Sequence, residues 1–328
     1  MRRREFITIL GGAVAGCPLA AWAQQPAMPL IGFLHGGSQR EWAHLIEAFR
    51  QGLSQAGFVE GRNIAAIEFR WAQGQFDRLP GMATDLVNRQ PTLIATDGGT
   101  VTAQAAKQAT STIPIIFTLG GDPVKSGLVA SLNRPGGNLT GVSGLINALV
   151  GKRLELLREL VPSAGSIGVL VNPRNPIASD DVRDVQDAAG KLGLQAFVAN
   201  ASNTGEIDAA FDGLRRQQAR ALIVLPDVTF ISRRSQIIEL AARHALPAIY
   251  FLREFAQGGG LMSYSGNSLE MRRWAGGLAA RVLKGERPTE LPVLQPTRYE
   301  LVLNLKAAKA LGLTVPPTLF ARADEVIE

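Results

Sequence analysis

The sequence is poor in the residues that carry covalent and metal chemistry. One cysteine, Cys17, stands among 328 residues, so no internal disulfide can form and no cysteine cluster can hold a metal. Histidine occurs three times, at His35, His44 and His244. No two of them sit at metal-ligand spacing, and all three read as structural. There is no G-x-x-x-x-G-K and no G-x-G-x-x-G, which removes the glycine-rich signatures of nucleotide binding. His35-Gly36-Gly37 has the shape of an esterase oxyanion loop. The nucleophile elbow G-x-S-x-G that should accompany it fails, because Gly141-Val142-Ser143-Gly144 is followed by Leu145. A serine hydrolase using Ser143 with His35 or His244 is therefore the weaker alternative, and no cofactor is expected. Nor does a long basic run follow residue 23, so the formal charge of +6 is no nucleic-acid footprint.

Apolar residues are plentiful. At 46% hydrophobic and 19% charged, the chain can build a large core, and its length suits two domains or one large one. The start, "MRRREFITILGGAVAGCPLAAWAQQ", has arginines, a short apolar stretch and the small-x-small site Ala21-Trp22-Ala23. This is the anatomy of an export signal over residues 1–23, too short to span a membrane comfortably. Arg3-Arg4-x-Phe6-Ile7 also fits the twin-arginine route. Cleavage after Ala23 removes three arginines and one glutamate and leaves a cysteine-free, soluble exported protein of charge +4. Val14-Ala15-Gly16-Cys17 resembles a lipoprotein cleavage box, whose use would instead leave a lipid anchor on Cys17.

From Pro29 onward strands and helices alternate. "LIGFLH" reads as a strand and "REWAHLIEAFRQGLSQAG" as a helix with Trp42, Leu45, Ile46, Phe49 and Leu53 at helical spacing. "NIAAIEFRW", "TLIAT", "IPIIFT" and "LTGVSGL" continue as strands. The intervening helices include "DPVKSGLVASL", with Asp122 as its cap and Pro123 in its first turn. The pattern then restarts: "SIGVLVNPRNP" echoes "LIGFLHGGS", and a second alternating series runs to "GGLMSY". The expected class is α/β, two doubly wound parallel-sheet lobes in tandem. A late helix with an Asn267-x-x-Glu270 capping box, then "YELVLNLKAAKALG", follow the second sheet. A chain returning to complete the first lobe would cross several times and make a hinge.

Ligands of open α/β sheets sit at the carboxyl ends of strands. In the first lobe those loops carry Ser38 after Gly36-Gly37, then Gly98, Gly99 and Thr100, then Thr118 to Asp122 with Gly120, and then Ser143. Gly98-Gly99 before Thr100 leaves amides free at a helix start, where the dipole favours an anion, and Gly120-Gly121 repeats the device. In the second lobe they carry Asn172 and Asn175, Asp227, Tyr250 to Glu254, and Tyr264. Asp227 either faces a ligand ammonium or caps the next helix. Tyr250 and Tyr264 end strands where an aromatic could stack on a ligand or pack the core. Trp42 reads as core, Asp122 as a cap, and Arg253-Glu254 admits a surface ion pair.

The export signal, the tandem α/β units, "GGDPVKSGLVASLNRPGGNLTGVS" (120–143) and "YELVLNLKAAKALGLTVPPTLFARADEVI" (299–327) resemble the substrate-binding proteins of bacterial ABC transporters. The resemblance is to the branch whose better-known members bind aromatic amino acids, and it covers essentially the whole mature chain. It implies a type I periplasmic-binding fold, with 28–143 plus about 266–297 in one lobe and 144–265 plus about 298–328 in the other. It implies a monomer without cofactor that closes on a small polar ligand, an amino acid or related carboxylate, and delivers it to an ABC permease of the inner membrane. A periplasmic sensor subunit of the same fold stays open as an alternative.

Overall fold

The computed structural model describes residues 28–328; the expected export signal and Cys17 lie outside the described residues. The first apolar runs form a five-stranded parallel sheet of β1 (Leu30–His35), β2 (Ala66–Trp71), β3 (Leu93–Asp97), β4 (Ile115–Leu119) and β5 (Leu139–Ser143). Its order is β2-β1-β3-β4-β5. β3, β4 and β5 are buried along their whole length, as continuous apolar runs under helices on both faces must be. The crossovers are α1 (Gln39–Gln55), α2 (Leu79–Asn88) and α3 (Thr100–Ala109).

The expected helix at 122–132 does not form. Asp122 Oδ1 accepts the amides of Val124 and Lys125 at 2.8 and 3.1 Å, a capping geometry with only a turn behind it. Gly127 takes φ +66°, and its carbonyl accepts a bond from Lys107 Nζ at 2.5 Å. The chain therefore turns out of the helical path after one turn and reaches β5 by loops.

The second sheet is larger. α4 (Val150–Leu160), β6 (Ser166–Val171), α5 (Ala178–Lys191), β7 (Gln195–Asn200), α6 (Thr204–Arg216) and β8 (Ala221–Val224) open it. α7 (Val228–Ser232), α8 (Arg234–Arg243), β9 (Ala248–Tyr250), α9 (Arg253–Gln257) and β10 (Met262–Gly266) follow. The chain then makes α10 (Ser268–Leu283), β11 (Tyr299–Asn304), α11 (Leu305–Ala310), α12 (Pro317–Ala321) and β12 (Glu325–Ile327). The strand order is β12-β11-β10-β9-β8-β6-β7. β10 and β11 alone are antiparallel, with Gly266 opposite Tyr299. The fold is the type I periplasmic-binding arrangement of two parallel-sheet α/β lobes.

α10 leaves the second sheet and packs on α1 of the first lobe. Asn267 Oδ1 accepts the Glu270 amide at 3.0 Å and starts the helix. The two helices touch backbone to backbone: a Cβ on Gly276 would lie 2.2 Å from the Phe49 carbonyl oxygen. Phe49, Leu53, Ala275 and Ala279 share one buried cluster there. Beyond α10 the chain covers the edge of β5, with Thr140 Oγ1 donating to the Leu291 carbonyl at 2.7 Å.

The chain passes between lobes after β5, after β10 and before β11. The first passage is tied to both lobes. Leu145 sits in the left-handed region at φ +44°, and the Ile146 amide donates to the Gly120 carbonyl at 2.6 Å. From the other side the fully buried Arg153 guanidinium donates to the Ile146 carbonyl. Burial pulls the Arg153 pKa down to about 10.

Candidate functional site

A cleft between the lobes encloses about 710 Å³ of space, part of it continuous with solvent. One wall comes from the ends of β3 and β4 and from α10, the other from the loops around Asn175, Asp227 and Phe251. Both walls are strand ends, where a parallel sheet leaves its loops and helix starts free to meet a ligand.

On the first wall Gly99 is the N-cap of α3 and has no side chain to close it. Its φ of +112° with ψ of 164° is open to glycine and hostile to other residues. Gly99, Thr100 and Val101, which begin α3, line the cleft at the positive end of the helix, where first-turn amides lack a partner within the helix. Gly98, at φ +86°, has a further constraint, since a Cβ there would lie 2.6 Å from the Gly36 nitrogen.

Asp97 ends β3 and is 2% exposed. Its Oδ2 accepts Arg272 Nε and its Oδ1 accepts Arg272 Nη2, both at 2.9 Å. The Gly98 amide adds a third bond to Oδ1 at 2.7 Å. Arg272 also donates from Nη1 to the Ser268 carbonyl at 3.3 Å, and its guanidinium lies 5.4 Å from the Trp42 ring centroid. This fork-to-carboxylate pair is a buried dipole in the cleft wall. Beneath it His35 is fully buried, its Nδ1 accepting the Gly37 amide at 2.8 Å. Burial lowers the His35 pKa to about 4, so the ring stays neutral in the packed cluster with Trp42.

On the second wall Asp227 both caps and lines. Its Oδ1 accepts the Thr229 amide at 2.8 Å and Asn172 Nδ2 at 3.0 Å, while Oδ2 accepts Asn175 Nδ2 at 3.0 Å. Oδ2 thus keeps a lone pair for a donor in the cleft. Burial raises the Asp227 pKa, and the hydrogen bonds oppose that rise. Asn175 lines the cleft, whereas Asn172 stands behind Asp227 and also accepts Ser202 Oγ at 2.8 Å.

Of the residues expected from sequence, Gly98, Gly99, Thr100, Gly120, Asn175 and Asp227 meet around the cleft. Seven others do not line it. Thr118 stays inside β4, one residue too early to emerge from the sheet. Ser143 is buried and donates its Oγ to the Gly121 carbonyl at 2.7 Å, so it is no nucleophile. Ser38 Oγ donates to Glu41 at 2.6 Å at the head of α1. Tyr250 is core, 1% exposed and stacked on Phe255 at 4.7 Å, with burial pushing its hydroxyl pKa up. Tyr264 packs beside Tyr299 on the antiparallel pair. Asn172 is the support described above. Glu254 turns to His44 of the first lobe at 3.7 Å. Its neighbour Arg253 pairs with Glu300 at 3.0 Å and with Glu325, so Arg253 and Glu254 do not pair with each other.

The sequence reading missed Arg272, gave no role to Asp97 and Phe251 within the loops it placed at the sheet ends, and read Trp42 as core; all four line the cleft. Arg272 arrives from 175 positions beyond Asp97, on a helix whose packing site the sequence left open. The available signal was Asp97 itself, an acid ending an otherwise apolar strand. Among the described residues no group of three or more His, Cys, Asp or Glu could hold a metal, and no helix is long and apolar enough to cross a membrane.

Comparison with known proteins agrees with this geometry. The family described as ABC transporter substrate binding protein matches residues 40–327. A tyrosine-binding protein of Clostridioides difficile (strain R20291) is 31% identical over 267 residues, which is 81% of this chain and 76% of the relative. The structure of an ABC domain in complex with L-Trp from Streptococcus pneumonia superposes with a TM-score of 0.82 at 26% identity, over 91% of this chain and 99% of that one. A ligand-free, open substrate-binding protein from Clostridium difficile, also 26% identical with the same coverage, gives only 0.66. The chain belongs to the substrate-binding protein family of ABC transporters, a family of binding proteins and not of enzymes.

Proposed function

We propose that this protein is the exported, periplasmic receptor of an ABC importer, that it takes an amino acid with an aromatic side chain into the cleft, and that it hands the closed complex to an inner-membrane permease. The observation that carries the reading is the placement of the start of α3 on one wall and of Asp227, with a carboxylate lone pair to spare, on the other wall of a mostly apolar cleft. A ligand carboxylate takes hydrogen bonds from the α3 amides and the Thr100 hydroxyl. Its ammonium donates to Asp227 Oδ2. Each charge-assisted bond contributes on the order of 1.5–3 kcal/mol. The side chain then lies along Trp42, Phe76, Phe251 and Met271, which line the same cleft. The lining carries Asp97, Asp227 and Arg272 as its charged groups, one negative in excess, which suits a ligand with an ammonium and disfavours a plain anion. The relatives named for tyrosine and L-Trp support the aromatic side chain.

Calorimetry with L-tyrosine, L-tryptophan, L-phenylalanine and L-leucine tests this. Aromatic amino acids are expected to bind at least tenfold more tightly than leucine, and Asp227→Asn, which keeps the cap, to weaken them about tenfold. Equal affinity for all four, or no binding by any, would sink the assignment.

A further inference from the structure

Ser38-x-x-Glu41 at α1, Asn203-x-x-Glu206 at α6 and Asn267-x-x-Glu270 at α10 share one pattern, a capping residue followed three places on by a glutamate. At α6, Asn203 Oδ1 accepts the Glu206 amide at 3.0 Å, and Glu206 Oε2 accepts the Ser202 amide at 2.7 Å. At α10, Asn267 Oδ1 accepts the Glu270 amide at 3.0 Å. Both helices are capped as the pattern directs.

The head of α1 is not. Ser38 has the extended backbone of a cap, φ −109° and ψ 151°, but its side chain makes no capping bond. Its Oγ donates to Glu41 Oε2 at 2.6 Å. The same carboxylate oxygen accepts Ser232 Oγ at 2.9 Å, from α7 of the second lobe. Beside this bond Trp42 and Leu45 pack with Val228, so the contact lies on an apolar seam between the lobes. None of Ser38, Glu41 and Ser232 lines the ligand cavity.

Both partners have another place to go. Ser232 Oγ also lies 3.1 Å from the Val228 carbonyl oxygen of its own helix, and one hydroxyl hydrogen serves one acceptor at a time. Glu41 has the unmade capping box at its own helix start. Separating the lobes therefore strands neither group: the serine falls back on its helix carbonyl, and Ser38 and Glu41 on the amides of the first turn. Two discrete arrangements of the same side chains, one for each lobe position, make a switch.

We propose that the head of α1 is a two-state clasp, in which the Ser38–Glu41 capping box is made when the lobes are apart and is exchanged for the Ser232 bond when they meet. This rests on the reading of the cleft as a solute site that closes. Closure ordinarily protects backbone near a cleft, but here it takes partners away from the Ser38 and Glu41 amides. Because one set of bonds replaces another, the clasp alters affinity little and leaves no orphaned polar group in either state.

The test is residue-resolved amide hydrogen exchange on the whole protein, with and without saturating L-tryptophan, alongside calorimetry with L-tryptophan and L-tyrosine. Ligand is expected to speed exchange at the Ser38 and Glu41 amides about fivefold, the population change that one cap supports, and to leave the Glu206 and Glu270 amides as they were. Ser232→Ala keeps the box in both states, so the acceleration should vanish while L-tryptophan binds within about threefold of the wild type. Glu41→Ala removes box and clasp together and should exchange rapidly at these amides in both states. Unchanged or slower exchange at Ser38 and Glu41 in the ligand-bound wild type, or an acceleration that persists in Ser232→Ala, would overturn the clasp. So would a loss of affinity of about tenfold or more in Ser232→Ala, since nothing would then replace the lost bond. Binding of neither amino acid by the wild type would overturn the reading of the cleft, and the clasp with it.

Discussion

Two buried ionisable residues show how single side chains set the behaviour of the site. Arg272 is satisfied only by Asp97 and the Ser268 carbonyl, so its removal leaves a carboxylate in the cleft wall with the Gly98 amide alone. Arg272→Met is expected to cost about 3 kcal/mol or more in urea denaturation, and Asp97→Asn with Arg272→Met to recover part of that loss. If the double variant is no more stable than the single one, the pair does not carry the energy assigned to it. His35 and Asp181 make a second case, with opposite signs. Burial lowers the His35 pKa from 6.5 to about 4, so the unfolded chain binds a proton first and stability falls between those values as pH drops. Burial raises the Asp181 pKa from 3.8 to about 6, so its contribution grows as pH falls through the same range. Each amounts to about 3 kcal/mol, and they oppose. Asp181→Asn should therefore lose about 2 kcal/mol more than the wild type between pH 6 and pH 4, the part of that linkage which falls in this window. Parallel profiles in denaturation at the two pH values would refute the assignment.

At the scale of elements, α10 is the piece that makes the site possible, because it brings Met271 and Arg272 to a sheet far from it in sequence. Its placement depends on two glycines. Gly52 and Gly276 let α1 and α10 touch, with carbonyl oxygens where Cβ atoms would otherwise be. Gly277, the next residue, has open space beside it. Gly276→Ala is thus expected to lower the melting temperature through a clash of about 1–3 kcal/mol or more. Gly277→Ala should leave it unchanged or raise it, since alanine is the better helix former by about 1 kcal/mol. Equal effects from the two substitutions would mean that the helices can separate without cost. The segment after β4 illustrates the reverse. Asp122-Pro123 is a proper helix start, yet Gly127 at φ +66° and the lysine bond to its carbonyl end the turn at once.

At the scale of the whole molecule the lobes meet through a seam that is independent of any ligand. Leu45 is buried in that seam and does not line the cavity. Its truncation removes apolar surface from the closed state and little from an open one. Leu45→Ala is expected to weaken L-tryptophan binding several-fold while leaving the contacts of the cleft untouched. Small-angle scattering should show a smaller radius of gyration for wild type on saturation with ligand, and a larger ligand-free radius for the variant. An identical radius in all these states would exclude hinge closure.

Much of this protein is legible along the chain. Apolar runs of five or six residues between helical stretches specify parallel strands, because a strand covered on both faces must be apolar throughout, and the restart at "SIGVLV" announces a second sheet. The glycines at 98 and 99 likewise mark a sheet end where backbone must stay bare. Tyr250 and Arg272 were decided otherwise. Strand-end position does not say whether a tyrosine turns to the cleft or the core, and the stacking of Tyr250 on Phe255 sends it inward. An arginine on a helix whose packing site is unknown has no legible partner until the helix lands. The partner that keeps Arg272 in the cleft, Asp97, lies 175 residues away, and only the docking of α10 on α1 brings the two charges within 2.9 Å. Local pattern determines the elements because burial acts through periodicity. The site is a property of where those elements meet, and that was set by the fit of one helix against another.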